Sequence, residues 1–372
     1  MTRNTCLLAL TTLAIAWLVP CLQGAEPATA AAKASPALGV FTWGAPGIAK
    51  GYQDQFTDWL GRPIDMALDF QPLDSWEAIE GEVGQLRAWS KWVQAAPGRR
   101  LVLSVQLFPN GPKASATGNA QGKPSLEEGA AGAYNEHFRR LAEKLVSFHL
   151  ENSILRLGWE FNGGWYNYRA VKKEASFAEY WRQIVKTMRG VPGAQNLQYC
   201  WNPANTILQS DARKCWPGDE YVDYVGVDVY DQSWAPETYP IPSDATPDEQ
   251  LKRWKQAWSD WNFSKQHQGL EMWSEFASEH HKPLAIPEWG VCSRKDGHGG
   301  GDDTYFIEQM YKFINDPAND VAFHCYFNVN APDGAHQLTP KNGVPTQFPN
   351  SAKRFKELFG APASAGGAPS GS

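Results

Sequence analysis

Short apolar stretches alternate with amphipathic stretches along most of this chain. Eight of the apolar stretches are typical of β-strands. They are residues 37–43, 63–70, 100–108, 153–160, 197–202, 224–230, 283–289 and 321–329. Between them, the segment 125–149 carries apolar side chains at spacings of three and four, as does the segment before the seventh strand. These positions are Tyr134, Phe138, Leu141, Leu145 and Phe148 in the first segment, and Leu270, Trp273 and Phe276 in the second.

Strands that alternate with helices indicate a parallel sheet, and eight of them favour a closed barrel over an open sheet. We therefore predict an α/β protein with a single (β/α)8 TIM barrel over residues 37–360. Long polar loops follow the third, sixth, seventh and eighth strands, and would form an open cleft on the face where such barrels carry their chemistry. The Ala- and Pro-rich residues 26–36 predict a flexible linker, and residues 361–372 a disordered tail.

The first 25 residues have the layout of a secretory signal peptide. Arg3 precedes an apolar run from Cys6 to Val19, and Pro20 and small residues follow it. The run is short for a permanent membrane helix, so we expect a secreted or periplasmic protein without stable membrane insertion after signal removal. Pro20 before Cys21 fits a lipoprotein cleavage site poorly, and a lipid anchor is not expected.

The composition narrows the classes of partner. A formal net charge of −6 without clustered Lys and Arg argues against nucleic acid. The 17 Trp and 13 Tyr residues suit a large core and also the apolar faces of sugars. In the segment 295–303, His298, Asp302 and Asp303 lie close together, but three consecutive glycines offer no rigid ligand geometry. We expect no metal and no cofactor, and a monomer.

Four cysteines lie beyond the signal segment: Cys200, Cys215, Cys292 and Cys325. In an oxidising compartment they allow three pairings. Cys200 with Cys215 would close a short loop, and Cys292 with Cys325 would join neighbouring strands, whereas free buried thiols are the alternative.

Two glutamates stand at the ends of predicted strands on opposite sides of the barrel. Glu160 ends the fourth strand and Glu288 ends the seventh. Either one alone could cap a helix or pair with an arginine such as Arg156. Two rigidly held acids facing one cleft, each flanked by Trp and Gly, favour paired acid and base catalysis.

Glycoside hydrolysis is the reaction that such a pair performs. One carboxylic acid protonates the leaving oxygen, and the second carboxylate attacks the sugar or activates water. A separation of roughly 5 to 5.5 Å gives a retaining enzyme, and about 6.5 to 9.5 Å an inverting one. The apolar neighbours of Glu160 and the charge of Glu288 would raise the pKa of Glu160. We assign Glu160 as acid and base and Glu288 as nucleophile, with Arg156 and Tyr230 stabilising the charge of Glu288.

These residues resemble glycoside hydrolase family 26, the β-mannanase family of the retaining (β/α)8 glycoside hydrolases. The segments that carry the resemblance are "RLGWEFNGGWYNY", "YVGVDVYD" and "PEWG". It implies an Arg four residues before the acid, at Arg156, and an E-x-N-G-x-W motif that places Glu160, Asn162 and Trp165. It also implies a nucleophile at Glu288 and an aromatic side chain beside it, at Tyr230.

The chain departs from the family pattern at two places. Trp159 replaces the His that usually precedes the acid, and Phe327 or Asn328 replaces a Trp near the end of the eighth strand. Both positions border the scissile bond, so the mechanism carries over more firmly than mannan as the substrate. The predicted substrate-binding residues are Arg156, Asn162, Trp165, Trp201, Tyr230, Trp234 and Trp289.

The sequence therefore predicts a secreted, retaining glycoside hydrolase that cleaves β-linked polysaccharide, endo-acting on mannan or a related β-glycan. A β-glucanase, an exopolysaccharide glycanase or a transglycosylase would use the same two glutamates, and a lyase on a similar cleft is a further alternative. A non-catalytic carbohydrate-binding barrel is the alternative from a different class, although a pure binder has no need of both acids.

Overall fold

The computed structural model describes Met1 and residues 35–110, 123–206 and 208–361. The predicted signal peptide after Met1, including Cys21, lies outside the described residues. So do the linker up to residue 34 and the tail from residue 362. The limits of the predicted segments stay a prediction.

Nine parallel strands form one closed barrel in the described part of the chain. They are β1 (Ala37–Phe41), β2 (Met66–Phe70), β3 (Arg100–Val105), β4 (Ile154–Leu157), β5 (Gln198–Trp201), β6 (Tyr224–Gly226), β7 (Val229–Tyr230), β8 (Leu284–Gly290) and β9 (Val321–Phe327). Neighbours along the chain pair from β1 to β6, while β9 pairs with β1 and β8 pairs with both β6 and β7. The (β/α)8 barrel is confirmed, with the sixth predicted strand split into β6 and β7.

Helices surround the barrel. They are α1 (Gly44–Ala49), α2 (Tyr52–Leu60), α3 (Trp76–Ile79), α4 (Val83–Gln94), α5 (Leu126–Ala130), α6 (Asn135–Ser147), α7 (Glu174–Arg189), α8 (Pro247–Ala257), α9 (Leu270–Glu279), α10 (Thr304–Asn315) and α11 (Pro349–Phe359). The predicted stripes lie on α6 and α9, where Phe138, Leu141 and Trp273 are fully buried against the sheet. Among the described residues, no helix has the length and apolar character needed to cross a membrane.

The strands separate two layers of buried side chains. On β4, Leu155 and Leu157 face the helices and join the larger apolar layer, whereas Ile154 joins the layer inside the barrel. Because side chains alternate along a strand, Arg156 also points inward. Small residues leave room there, since a Cβ on Gly226 would lie only 2.6 Å from the Cys200 sulfur. The barrel can therefore hold a guanidinium at its upper end.

A bulge in β8 decides which way Glu288 points. Ile286 pairs with His324 and Trp289 with Tyr326, so three steps on β8 match two on β9. Ala285 faces the barrel interior, and strict alternation from it would turn Glu288 towards the helices. The extra residue reverses this order. Bulges often re-aim a side chain beside an active site, and here Trp289 takes the outer position instead.

The predicted disulfides do not form: all four cysteines are buried and free. Cys200 and Cys325 lie inside the barrel, while Cys215 belongs to the layer between the barrel and the helices. Adjacent residues of a strand face opposite sides of the sheet, so the backbone of β5 separates Cys200 from Cys215. The alternative of free buried thiols is the one that the structure shows.

Two aspartates share a buried site beneath the cleft loops. Asp231, which follows β7, and Asp303, the N-cap of α10, are each 1% exposed. The two carboxyls hydrogen-bond to each other, and the hydroxyl of Tyr239 donates to Asp231 at 2.6 Å. Burial raises the pKa of Asp231 to about 7, and burial together with the charge of Asp231 raises the pKa of Asp303. The pair is therefore stable when it retains a proton.

We predict that Asp303→Asn flattens the pH dependence of stability. Folding raises the pKa of Asp303, and such a carboxyl destabilises the folded state increasingly as pH rises above its unfolded pKa, about 4. Asparagine still caps α10 and imitates the protonated acid. Thermal unfolding between pH 5 and 9 should show the melting temperature of Asp303→Asn rising relative to that of the wild type as pH increases.

The control for this prediction is Asp244→Asn, the same change at an exposed position, which should follow the wild type. Parallel pH curves for wild type and Asp303→Asn would contradict the shared proton.

Candidate active site

An open cleft of about 740 Å³ lies at the C-terminal ends of the strands. Its walls come from the loops after β2 to β9, on the face where (β/α)8 barrels carry their chemistry. Glu160 and Glu288 both line it. The structure thus brings the two predicted carboxylates into one cavity.

Glu160 stands where the chain turns sharply after β4. Gly158 and Glu160 both have a φ of 52°, in the left-handed region that residues with a Cβ rarely adopt. The Glu160 N–H donates to the carbonyl of Asn202 at 2.7 Å, and its own carbonyl accepts from Gly163 at 3.0 Å. Such strain persists only where neighbours impose it, and it concentrates at functional sites. These bonds fix the backbone of the candidate acid.

Glu288 is held by one ion pair and one hydrogen bond. Arg156 Nη1 lies 2.7 Å from its Oε1, and the Tyr230 hydroxyl donates to its Oε2 at 2.8 Å. The side chain is only 5% exposed. A cation and a hydroxyl donor on its two oxygens stabilise the negative charge of this carboxylate. The contacts predicted for Arg156 and Tyr230 are therefore present.

Arg156 is fully buried and uses all three guanidinium nitrogens. Nε donates to Asn202 at 2.8 Å and Nη1 to Ser104 at 2.7 Å, while Nη2 binds Asp228 at 2.6 Å. The ring of Trp159 lies 5.7 Å from the guanidinium carbon, on which cation–π attraction acts. Arg156 lies beneath the cleft, and we correct its predicted role from substrate binding to positioning of Glu288.

The two glutamates have different electrostatic surroundings. Burial raises the pKa of Glu160 to about 8, and the negative charge of Glu288 adds to this rise. The indole N–H of Trp165, which donates to Glu160 Oε2 at 2.9 Å, and the charge of Arg156 act in the opposite direction. Glu160 thus retains its proton at neutral pH. Of these two glutamates, Glu288 is the one in direct ionic contact with Arg156.

Three of the predicted substrate-binding aromatics line the cleft: Trp165, Tyr230 and Trp234. Trp165 is 54% exposed and Trp234 57%. Trp165 follows β4, and its ring lies directly over Gly163, where a Cβ would come within 2.4 Å of it. One face of Trp234 stacks on the ring of His298 at 5.4 Å. Exposed aromatic faces in a cleft are suited to sugar rings.

The predictions for Trp201 and Trp289 are corrected by the structure. Both side chains are fully buried in the layer between the barrel and the helices. The Trp201 ring stacks with that of Phe276 at 5.7 Å, and the Trp289 ring lies 5.8 Å from that of Phe355. Each tryptophan directly follows a residue whose side chain points into the barrel, so its own ring points towards the helices. Neither ring can therefore stack on a substrate in the cleft.

Asn162 also has a structural role in place of the predicted substrate contact. It is fully buried, and its amide donates to the Ala204 carbonyl at 3.0 Å and accepts from the Ala204 N–H at 2.9 Å. These two bonds join the loop after β4 to the loop after β5. Asn162 therefore supports the turn that carries Glu160.

The predicted set of substrate-binding residues omitted several residues of the cleft wall. Phe70 and Phe327 end β2 and β9, and Trp159 follows β4; all three line the cleft. The rings of Phe70 and Trp159 lie 5.3 Å apart, and those of Tyr230 and Phe327 5.8 Å apart. Their positions at strand ends are the signal that could have identified them. Trp159, and of the two alternatives Phe327 and Asn328 the side chain of Phe327, therefore contribute to this apolar wall.

The three side chains of segment 295–303 that were considered as metal ligands have separate partners. His298 Nδ1 lies 3.0 Å from the Ser233 carbonyl. Asp302 accepts from the N–H of Ser351 at 2.7 Å, at the start of α11, while Asp303 caps α10. Each side chain thus holds a loop or helix end.

Comparison with known proteins identifies a similar family and similar folds. The family model "Glycosyl hydrolase family 26" matches residues 118–241, which include Glu160 but not Glu288. A mannan endo-1,4-beta-mannosidase from Bifidobacterium adolescentis is 27% identical over 176 residues. The match spans 46% of this chain and only 16% of that protein's length.

Solved structures of mannanases share the fold. The catalytic domain of the Bacillus sp. JAMB-750 GH26 endo-beta-1,4-mannanase has 18% identity and a TM-score of 0.56, over 87% of this chain and 86% of its own. A modular endo-beta-1,4-mannanase from Cellulomonas fimi has 17% identity and a TM-score of 0.52, over 88% and 71%. The resemblance of this chain to glycoside hydrolase family 26 is therefore confirmed, by sequence over residues 118–241 and by the (β/α)8 fold over most of the chain.

Proposed function

We propose that this protein is a retaining glycoside hydrolase that cleaves β-linked polysaccharide, with Glu160 as acid and base and Glu288 as nucleophile. The observation that carries the proposal is the pair itself. Two carboxyl groups line one cleft, one with a pKa raised to about 8 and the other bound to a buried arginine. Double displacement needs one protonated and one ionised carboxyl at the same pH.

In the first step, the Glu288 carboxylate attacks the anomeric carbon while Glu160 gives its proton to the glycosidic oxygen. The bond to the leaving sugar breaks, and an ester forms between Glu288 and the remaining sugar. Tyr230 and Arg156 orient the attacking carboxylate through its two oxygens. Trp165 directs Glu160 through its indole N–H.

In the second step, Glu160, now ionised, removes a proton from water as the water attacks the anomeric carbon. The ester bond to Glu288 breaks, and both carboxyls return to their starting states. Loss of the Glu288 charge in the ester lowers the pKa of Glu160, because that charge contributes to raising it. The acid of the first step is thereby a better donor, and its conjugate base is present for the second.

Mannan or a related β-glycan is the proposed substrate, with endo action. The support comes from the names of the similar proteins and from the open cleft, in which Trp165 and Trp234 expose ring faces on loops from different strands. Two such faces provide for more than one sugar of a polymer. The signal-like residues 1–25 support a secreted enzyme, and we propose that it acts as a monomer.

We predict that Glu160→Gln and Glu288→Gln each lower hydrolysis by roughly 10²–10⁴-fold or more. Each change removes one half of the mechanism while conserving size. The assay is reducing-sugar release from a panel of mannans, glucans and xylans. Glu237→Gln, at an exposed position in the loop after β7, is the matched control and should retain wild-type rates.

Azide distinguishes the two roles. With an activated aryl glycoside, Glu160→Ala should give a glycosyl azide of retained configuration, because azide attacks the covalent intermediate. Glu288→Ala should give the inverted azide, since the anion replaces the missing nucleophile. Wild-type turnover in either Gln variant, or exchanged product configurations, would reject the assignment.

We predict opposite shifts of the Glu160 pKa in two variants. Glu288→Gln removes a neighbouring negative charge and should lower that pKa from about 8. Trp165→Phe removes a hydrogen bond to the ionised form and should raise it. Carboxyl ¹³C NMR of glutamate-labelled protein measures both, and shifts in the same direction would contradict the arrangement.

A further inference from the structure

His336, in the loop after β9, lines the cleft but has no part in the proposed chemistry. It is only 2% exposed. Its ring lies 4.8 Å from that of Tyr230, the residue that donates to Glu288, and 5.5 Å from that of Phe327. A buried imidazole thus contacts Tyr230, and Tyr230 in turn donates to the candidate nucleophile Glu288.

One hydrogen bond fixes the tautomer of this ring. Nδ1 lies 2.8 Å from the carbonyl oxygen of Val291. A carbonyl only accepts, so Nδ1 carries the proton, and Nε2 of the neutral ring bears a lone pair. Burial lowers the pKa of His336 to about 4, against the opposing influence of the Val291 carbonyl and Asp333, while Arg294 lowers it further. At neutral pH the ring is an acceptor at Nε2.

The main chain holds the ring in place. The His336 N–H donates to the carbonyl of Val329 at 3.1 Å and to Asn330 Oδ1 at 3.2 Å, and its carbonyl accepts from the Tyr326 hydroxyl at 2.8 Å. With Nδ1 also bound, the position of Nε2 is fixed by four hydrogen bonds.

Nε2 has no hydrogen-bond partner among the described residues. An acceptor on a cleft wall loses its water when a ligand covers it, so a ligand that binds there well supplies a donor in place of that water. Gly334 packs closely beside it, since a Cβ there would lie 3.1 Å from Nε2 and 2.9 Å from the Cys292 sulfur. The lack of a side chain at this position keeps Nε2 uncovered on that side.

We propose that His336 is a substrate-binding residue whose Nε2 accepts a hydrogen bond from a hydroxyl group of the sugar that lies against Tyr230 and Glu288. This inference rests on the proposed function. The ligand it selects is an uncharged sugar with a free hydroxyl at that position, because an ester or ether there has no proton to donate. Such sites reject analogues that lack the group, since the buried acceptor would remain unpaired.

The test compares His336→Phe, which keeps an aromatic ring against Phe327 but has no acceptor, with His336→Gln, which restores one. His324→Phe is the matched control. His324 is equally buried at 2%, but its Nδ1 accepts from the indole of Trp289 in the outer layer, away from the cleft. Each change is made in the full chain, and thermal unfolding reports on folding.

We predict that His336→Phe weakens binding of a mannan oligosaccharide by roughly 5- to 100-fold and that His336→Gln recovers part of this loss. Binding is measured by titration calorimetry in the Glu160→Gln background, and kcat/KM in the active enzyme. The His324→Phe control should lower stability without changing affinity. As pH falls towards 4, affinity should decline in the histidine protein and not in His336→Gln, because only the histidine loses its acceptor by protonation.

Equal affinities for His336→Phe and the parent protein, or the same pH dependence in His336→Gln, would overturn the inference. Its failure is separable from that of the proposed function. A wild-type chain that binds an oligosaccharide without cleaving it contradicts the hydrolase, while the binding comparison still decides the role of His336. A chain that binds none of the glycans overturns both.

Discussion

The site depends on one buried cation. Arg156 has no exposed surface, and a lone guanidinium in such a place would be very unfavourable. Asp228 at 2.6 Å and Glu288 at 2.7 Å offset its charge, and Ser104 and Asn202 occupy its remaining donors. These partners come from different strands, so the arrangement requires the closed barrel. A lysine, with one compact ammonium group, could not serve four partners in these directions.

This arrangement also explains why the two glutamates, Glu160 and Glu288, have different electrostatic surroundings. Glu288 is in direct contact with the cation, whereas Glu160 receives an indole N–H and lies in the field of the Glu288 charge. The difference does not arise from the glutamates themselves. It arises from a bulge that turns Glu288 towards Arg156 and from a strained turn that keeps Glu160 on the cleft wall. The barrel brings both glutamates to one cleft, and the bulge and the strained turn give each carboxyl its own hydrogen-bond and ionic partners.

The pattern of apolar positions was sufficient to predict the eight strand positions and the closed barrel, because buried parallel strands read as short apolar runs. It was also sufficient to place Glu160 and Glu288 at one end of the barrel. It was not sufficient for Trp201 and Trp289, since the direction of a strand-end side chain depends on register. At Trp289 a one-residue bulge reverses the alternation. The disulfide hypothesis failed for a related reason, because sequence separation does not show that Cys200 lies inside the barrel and Cys215 outside it.

The residues that differ from the family pattern lie together around the nucleophile. Trp159 covers Arg156 on the cleft side, and Phe327 contacts the ring of Tyr230. The family pattern has a histidine where this chain has Trp159, and in this chain His336, from the loop after β9, packs its imidazole against Tyr230. A sugar bound as proposed would meet an apolar wall from β2, β4 and β9, with the His336 acceptor beside it. Trp159 both lines this wall and lies against the guanidinium of Arg156, so the wall of the cleft and the network that holds Glu288 share a residue.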